Sequence, residues 1–237
     1  MELLLVFIIV FFAIFTQSVT GFGLALVSMP LLSALLGIQT AAPLVALFGI
    51  VAEVTLLIYY RHAFNLKVVW RLAVASIIGI PLGVWTLRNV DERIVLTMLG
   101  LVVGGYALYA LLNLRLPAIK QPVWAYSVGF VAGILGGAYN TAGPPVIVYG
   151  NCRQWPPAEF KSNLQGFFLL NGALIVGTHV LANNYTVDVW RNSLVAFPAT
   201  AAGIVAGLFL ANRISAPVFR KMVLWLLLVL GIWLIVG

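Results

Sequence analysis

The chain has 237 residues, 63% of them hydrophobic and only 8% charged, with a net charge of +7. A soluble domain carries about 25% charged residues to wet its surface, so this composition excludes a soluble enzyme or a nucleic-acid reader. The 13 Lys and Arg residues are scattered between apolar runs, where they set membrane orientation rather than bind a polyanion.

In chain order the apolar runs cover residues 3–36, 41–60, 68–87 and 94–114. After the segment Leu116-Pro117-Ala118-Ile119-Lys120-Gln121-Pro122 they resume at 123–150, 163–182, 194–211 and 218–236. About 20 apolar residues cross a bilayer as one helix, and all runs but the first and fifth are close to that length. Tyr59, Tyr60, Trp70, Trp85, Trp124, Tyr126, Tyr185 and Trp190 gather near run ends, as interfacial belts require. The chain opens Met1-Glu2 without a basic leader, and its first apolar run continues well past a signal-peptide core, so that run is expected in the mature protein.

The first and fifth runs are interrupted. The first carries Thr16-Gln17-Ser18-Val19-Thr20-Gly21-Phe22-Gly23 and then Pro30. The fifth carries Gly133, Gly136 and Gly137, then Ala138-Tyr139-Asn140-Thr141-Ala142-Gly143-Pro144-Pro145. Proline removes a helical N–H and glycine weakens a helix, so both segments and Pro30 are predicted breaks at membrane depth. Such backbone must line protein or a watery cavity, because unsatisfied peptide groups are costly in hydrocarbon.

The interruptions sit at matching places in two halves. Pro30 matches Pro145, and Gly79-Ile80-Pro81-Leu82-Gly83 matches Gly203-Ile204-Val205-Ala206-Gly207. The expected fold is therefore all-α and polytopic, a duplication with one repeat over 1–116 and a second over 117–237. Each repeat reads as a broken, re-entrant segment followed by three spanning helices.

Charge tests the topology. If the fifth run crosses once, the Lys and Arg residues divide 6 to 7 between the two sides; if residues 123–151 enter and return, they divide 10 to 3. The second split is the asymmetry of cytoplasmic against outer loops. It predicts inverted repeats in the inner (plasma) membrane, with both termini extracytoplasmic. Inverted repeats with equivalent broken helices are a transporter signature, the site lying near the midplane between them.

Thr20-Gly21-Phe22-Gly23 with Pro30, repeated as Gly136-Gly137-Ala138-Tyr139-Asn140 with Pro144-Pro145, resembles the TauE/SafE family of sulfite and organosulfonate exporters, part of the 4-toluene sulfonate uptake permease superfamily. Order, spacing and length agree over nearly the whole chain. The resemblance implies export of a small sulfur-containing anion such as sulfite or sulfoacetate.

A helix that restarts inside the membrane aims N–H groups and the positive end of its dipole at the gap. Two such ends would cradle an oxyanion without a buried cation. The candidate substrate-binding residues are Gln17, Thr20, Gly21, Phe22 and Gly23 at the first break, Tyr139, Asn140, Thr141 and Gly143 at the second, and Asn171 on the sixth run. Glu53 is the one acid well inside a span; intramembrane carboxylates suggest proton or ion relays, so it is the candidate coupling residue. Counting from Pro43 and Lys161 sets it opposite Asn171. The alternative for Glu53 is an assembly ion pair, and the alternative for the glycines is close helix packing, as for Gly129-x-x-x-Gly133 and Gly100-x-x-x-Gly104.

Cys152 is alone and there are two histidines, so neither a metal site nor a cofactor is expected. An intramembrane enzyme would need a nucleophile with its base, a carboxylate pair or a metal set, and an ATP-driven pump would need a phosphate loop; neither pattern occurs. A passive anion channel is the closer rival, since facing helix ends also line filters. Expected partners are the small anion and membrane lipid, and the glycine-rich span faces suit a homodimer.

Overall fold

The structure, a computed structural model, describes residues 1–114, 117–119, 121–211, 213 and 215–236. Ten α-helices follow one another: α1 (Glu2–Thr20), α2 (Leu24–Leu36), α3 (Ile38–Tyr60), α4 (Leu66–Asn89), α5 (Glu92–Leu111), α6 (Trp124–Tyr139), α7 (Gly143–Cys152), α8 (Pro157–Leu181), α9 (Val187–Leu210) and α10 (Ala216–Val236). Among the described residues seven helices are long and apolar enough to cross a membrane: α1, α3, α4, α5, α8, α9 and α10. The fold is thus all-α and polytopic, with α2, α6 and α7 as the shorter pieces.

Contacts between distant residues define two ends of the bundle. At one end the Ile38 N–H donates to Glu92 Oε1 at 3.1 Å, and Arg88 Nη1 donates to the Ala182 carbonyl at 2.7 Å. At the other, the Asn65 N–H donates to Asn163 Oδ1 at 2.9 Å, and the Ile119 N–H donates to the Cys152 carbonyl at 2.9 Å. That last bond holds both ends of the α6–α7 pair together, so the pair goes in and comes back. Asp91 caps α5, its Oδ1 accepting from the Arg93 N–H at 2.9 Å. Glu92 closes the α2–α3 junction from the same turn.

Glycines set the closest helix pairs. A Cβ on Gly129, Gly133 or Gly137 of α6 would strike the backbone of Leu72, Ser76 or Ile80 of α4, and one on Gly79 or Gly83 would strike α6 in return. The two helices therefore touch backbone to backbone and run parallel, from the Lys161 end towards the Glu92 end. Gly203 and Gly207 of α9 meet α1 around Phe11, Ile14 and Ser18, again in parallel but in the opposite sense. Gly100 and Gly104 of α5 face Gly231 of α10, where a Cβ on Gly100 would lie 2.7 Å from the Gly231 carbonyl. Small residues of this kind let membrane helices approach and gain van der Waals contact, since lipid offers no hydrophobic drive between helices.

The breaks fall where the chain runs out of helix-compatible geometry. Gly21 (φ 87°) ends α1 and Gly23 (φ 113°) begins α2, while Asn140 (φ 53°) ends α6. These left-handed conformations suit glycine and, next best, asparagine. Pro30 corrects the sequence reading, for it lies within an unbroken α2. Pro144 and Pro145 instead stand in the first turn of α7, where the missing N–H has no intrahelical partner to lose.

Candidate functional site

Both breaks open on one cavity between α2, α3, α7 and α8. It is lined by Gln17, Phe22 and Gly23 from the first break, by Asn140, Thr141 and Gly143 from the second, and by Glu53 and Asn171. About 40 Å³ is open to the centre of a water molecule. At roughly 10–15 Å³ per water centre, that holds about three waters or a compact oxyanion.

The first break is held by a cross-half latch. Gln17 Oε1 accepts from the Leu24 N–H at 3.1 Å and so caps α2. Gln17 Nε2 donates to Gln165 Oε1 at 3.3 Å, and Gln165 Nε2 donates to the Gly21 carbonyl at 2.7 Å. Both glutamines are buried. Gln17 thus faces the cavity with its amide already engaged. Past Leu24, the Ala25 and Leu26 residues line the cavity, and amides in a first helical turn have no intrahelical acceptor. They are the donors this helix end offers.

The second break is built differently. Asn140 Nδ2 donates to the Ala42 carbonyl at 2.6 Å, and Thr141 Oγ1 donates to the Tyr139 carbonyl at 2.8 Å. Pro144 and Pro145 have no N–H to give, so Gly143 supplies the amide at the start of α7. The two helix ends are therefore unequal cradles.

Asn171 differs from all of these. It is 2% exposed, lines the cavity, and its Nδ2 has no hydrogen-bond partner. A buried amide left without a partner costs free energy comparable to a lost hydrogen bond, which makes Asn171 the candidate donor among the lining residues. Glu53 of α3 reaches Gly172 of α8, the residue after Asn171. A Cβ on Gly172 would come within 2.8 Å of Glu53 Oε2, and one on Gly49 within 3.8 Å of Oε1. Glu53 Oε2 also lacks a hydrogen-bond partner among the described residues, and of the described residues that line the cavity Glu53 is the one acid and none is Lys or Arg.

Three candidates lie elsewhere. Thr20 turns its hydroxyl to backbone, 2.8 Å from the Thr16 carbonyl and 2.6 Å from that of Phe22, and borders a separate hollow. Gly21 sits under the Lys161 stem. Tyr139 is buried among core side chains. Gln165 stands on the same span as Asn163 and Asn171, where the sequence favours Asn171 as the site candidate; the structure makes Gln165 the partner of the first break. Among the described residues no cluster of His, Cys, Asp or Glu is arranged to hold a metal.

Known proteins resemble this chain along its length. The chain is 28% identical over 160 residues to the probable inner membrane transporter protein TsaS of Comamonas testosteroni, a match covering 65% of this chain and 66% of that relative. It thus spans just under two thirds of the relative's length. No solved structure matches. The family model described as sulfite exporter TauE/SafE matches residues 6–234. By that match the chain belongs to the TauE/SafE sulfite exporter family.

Proposed function

We propose that this protein is a secondary transporter that moves a small sulfur-containing oxyanion across the inner membrane, in the direction of export, by alternating access. The observation that carries the reading is the cavity at which both breaks meet, with Asn171, whose buried amide nitrogen has no partner, among its lining residues. Donors from a helix start and a neutral side chain hold an anion loosely enough for it to leave, which a carrier needs and a buried Arg would oppose. The relative's printed name, a probable inner membrane transporter, agrees with this class.

The alternating-access element rests on symmetry of packing. α1 lies parallel on α9, and α6 lies parallel on α4, the two pairs running in opposite senses. Equivalent glycines, Gly79 and Gly83 in one half and Gly203 and Gly207 in the other, make these contacts. This supports repeats over 1–116 and 117–237 with inverted topology. It also supports a cytoplasmic Lys161 end and extracytoplasmic termini, since the basic residues gather at that end. Labelling of a cysteine at position 90 from the cytoplasm contradicts this topology.

Glu53 is the proposed coupling group. An acid beside an anion site repels substrate when ionised and tolerates it when protonated, so one proton and one anion share the cavity. A channel would need no such group. A thermal-shift screen of the purified chain against sulfite, sulfoacetate, sulfate, taurine and simple carboxylates tests the substrate class. Stabilisation by sulfite above the others is expected, and stabilisation by carboxylates alone contradicts it.

A further inference from the structure

One side chain closes the central cavity towards the basic end. Phe22 lines that cavity and, with its other side, a second hollow of about 770 Å³ bounded by Thr20, Asn113, Lys161, Arg220 and Lys221. The ring is 3% exposed and meets Tyr106 edge to face at 6.0 Å. The Arg220 guanidinium carbon stands 5.4 Å from the ring centre. The backbone around Phe22 is held, its N–H and carbonyl by the Thr20 hydroxyl and the Gly21 carbonyl by Gln165, while the flanking Gly21 and Gly23 put no side chain beside the ring.

The hollow is cationic. Three of its lining residues are Lys or Arg and none is acidic. Arg220 also borders an adjoining polar hollow with Asn113, Asn151 and Gln154, again without an acid. Lys161 lies against the Tyr60 ring at 5.3 Å, with its stem over Gly21. Charge and hydrogen-bond donors are thus concentrated in hollows whose described lining holds no acid.

We propose that this hollow is a loading site for a small sulfur oxyanion and that Phe22 is the gate between it and the central cavity. The inference rests on the transport reading and adds a second anion site to it. A guanidinium grips two oxygens of an oxyanion through parallel charge-assisted hydrogen bonds. That interaction is stronger than its contact with a phenyl face, so an arriving anion draws Arg220 off Phe22. The ring then rotates about its own side-chain bonds on a fixed backbone, and the anion passes to Asn171.

The phosphate of a lipid headgroup shares this chemistry, and the test separates the two sources. Sulfite flux is measured with the full chain in neutral phosphatidylcholine vesicles and in vesicles that also contain phosphatidylglycerol. In neutral vesicles Arg220→Gln is expected to raise half-saturating sulfite about tenfold, with the maximal rate within about twofold of wild type. Arg220→Lys, which keeps the charge and loses the fork, is expected to restore part of that loss. Phe22→Ala is expected to raise passive sulfite leak about tenfold, because the ring no longer seals the cavity.

Unchanged half-saturation in Arg220→Gln overturns the loading site, as does an effect confined to phosphatidylglycerol vesicles. An unchanged leak in Phe22→Ala overturns the gate. If Arg220→Gln melts well below wild type, Lys221→Gln carries the same comparison. If wild type moves no anion, the transport reading fails by itself. Sulfite titrated onto purified protein in neutral detergent then judges the hollow: about tenfold weaker binding by Arg220→Gln upholds it, and equal binding overturns it.

Discussion

Gln17 and Gln165, from opposite halves of the chain, form a buried amide pair in which Gln17 Nε2 donates to Gln165 Oε1 at 3.3 Å. Through the outer atoms of the pair, Gln17 caps α2 at Leu24 and Gln165 holds the Gly21 carbonyl. The first helix break is therefore an ordered element, fixed by α8. Removing the pair exposes its bonded groups to an apolar surrounding, which is where the penalty arises.

Gln165→Leu keeps much of the volume and deletes both bonds, leaving the Gly21 carbonyl unsatisfied. A loss of about 1–3 kcal/mol is expected, the usual cost of orphaning a buried polar group. Thermal unfolding in detergent reads it as a lowered midpoint, accompanied by loss of sulfite flux. A midpoint and flux equal to wild type contradict the latch.

Asn171→Ala separates function from stability. Its Nδ2 has no partner to lose, so the variant is expected to be as stable as wild type, or slightly more so. Sulfite affinity is expected to fall about tenfold, the worth of one good hydrogen bond to a charged ligand. Titration of sulfite against purified protein, with a parallel melting curve, checks both halves. Unfolding with unchanged affinity would point to a packing role instead.

Glu53→Gln replaces the cavity's one acid by a neutral amide of the same shape. Proton-linked transport requires a group that gains and loses a proton during the cycle, so the pH profile of sulfite flux is expected to flatten across the physiological range. In wild type, flux responds to an imposed pH gradient; in the variant that response disappears. A profile and gradient response identical to wild type would sink the coupling role.

Gly137 and Gly177 are both helical glycines with opposite expected fates. A Cβ on Gly137 would meet the Ile80 backbone, while one on Gly177 meets nothing within 4 Å. Gly137→Val should separate α6 from α4 and abolish the folded, monodisperse protein. Gly177→Ala should raise stability by up to about 1 kcal/mol, the helix-propensity difference between the two residues. Size-exclusion profiles and melting curves distinguish them.

Much of the fold was legible because a membrane imposes simple rules. Run length, span-end aromatics and the 10-to-3 charge split marked the long helices and the returning fifth run. Glycines at spacing four marked the close helix pairs. Pro30 was misread because proline acts on one N–H and one carbonyl only, and packing on neighbouring helices carries α2 through it. Within the site, Glu53 and Asn171 stood out as polar residues inside apolar spans. Which polar groups are already engaged is not a property of sequence: Gln17, Asn140 and Thr141 look like free donors in the chain, yet each is bonded to the protein itself. Gln165 ranked below Asn171 for the same reason, since its partners lie more than 140 positions away.

The central claim is that the two breaks enclose an anion site exposed alternately to either side of the membrane. Counterflow tests it most directly: proteoliposomes loaded with unlabelled sulfite are diluted into a trace of labelled sulfite. The account predicts transient accumulation of label above its external concentration, lost in Asn171→Ala at the same sulfite concentration. Label that merely equilibrates, without overshoot, would contradict alternating access and indicate a passive pore.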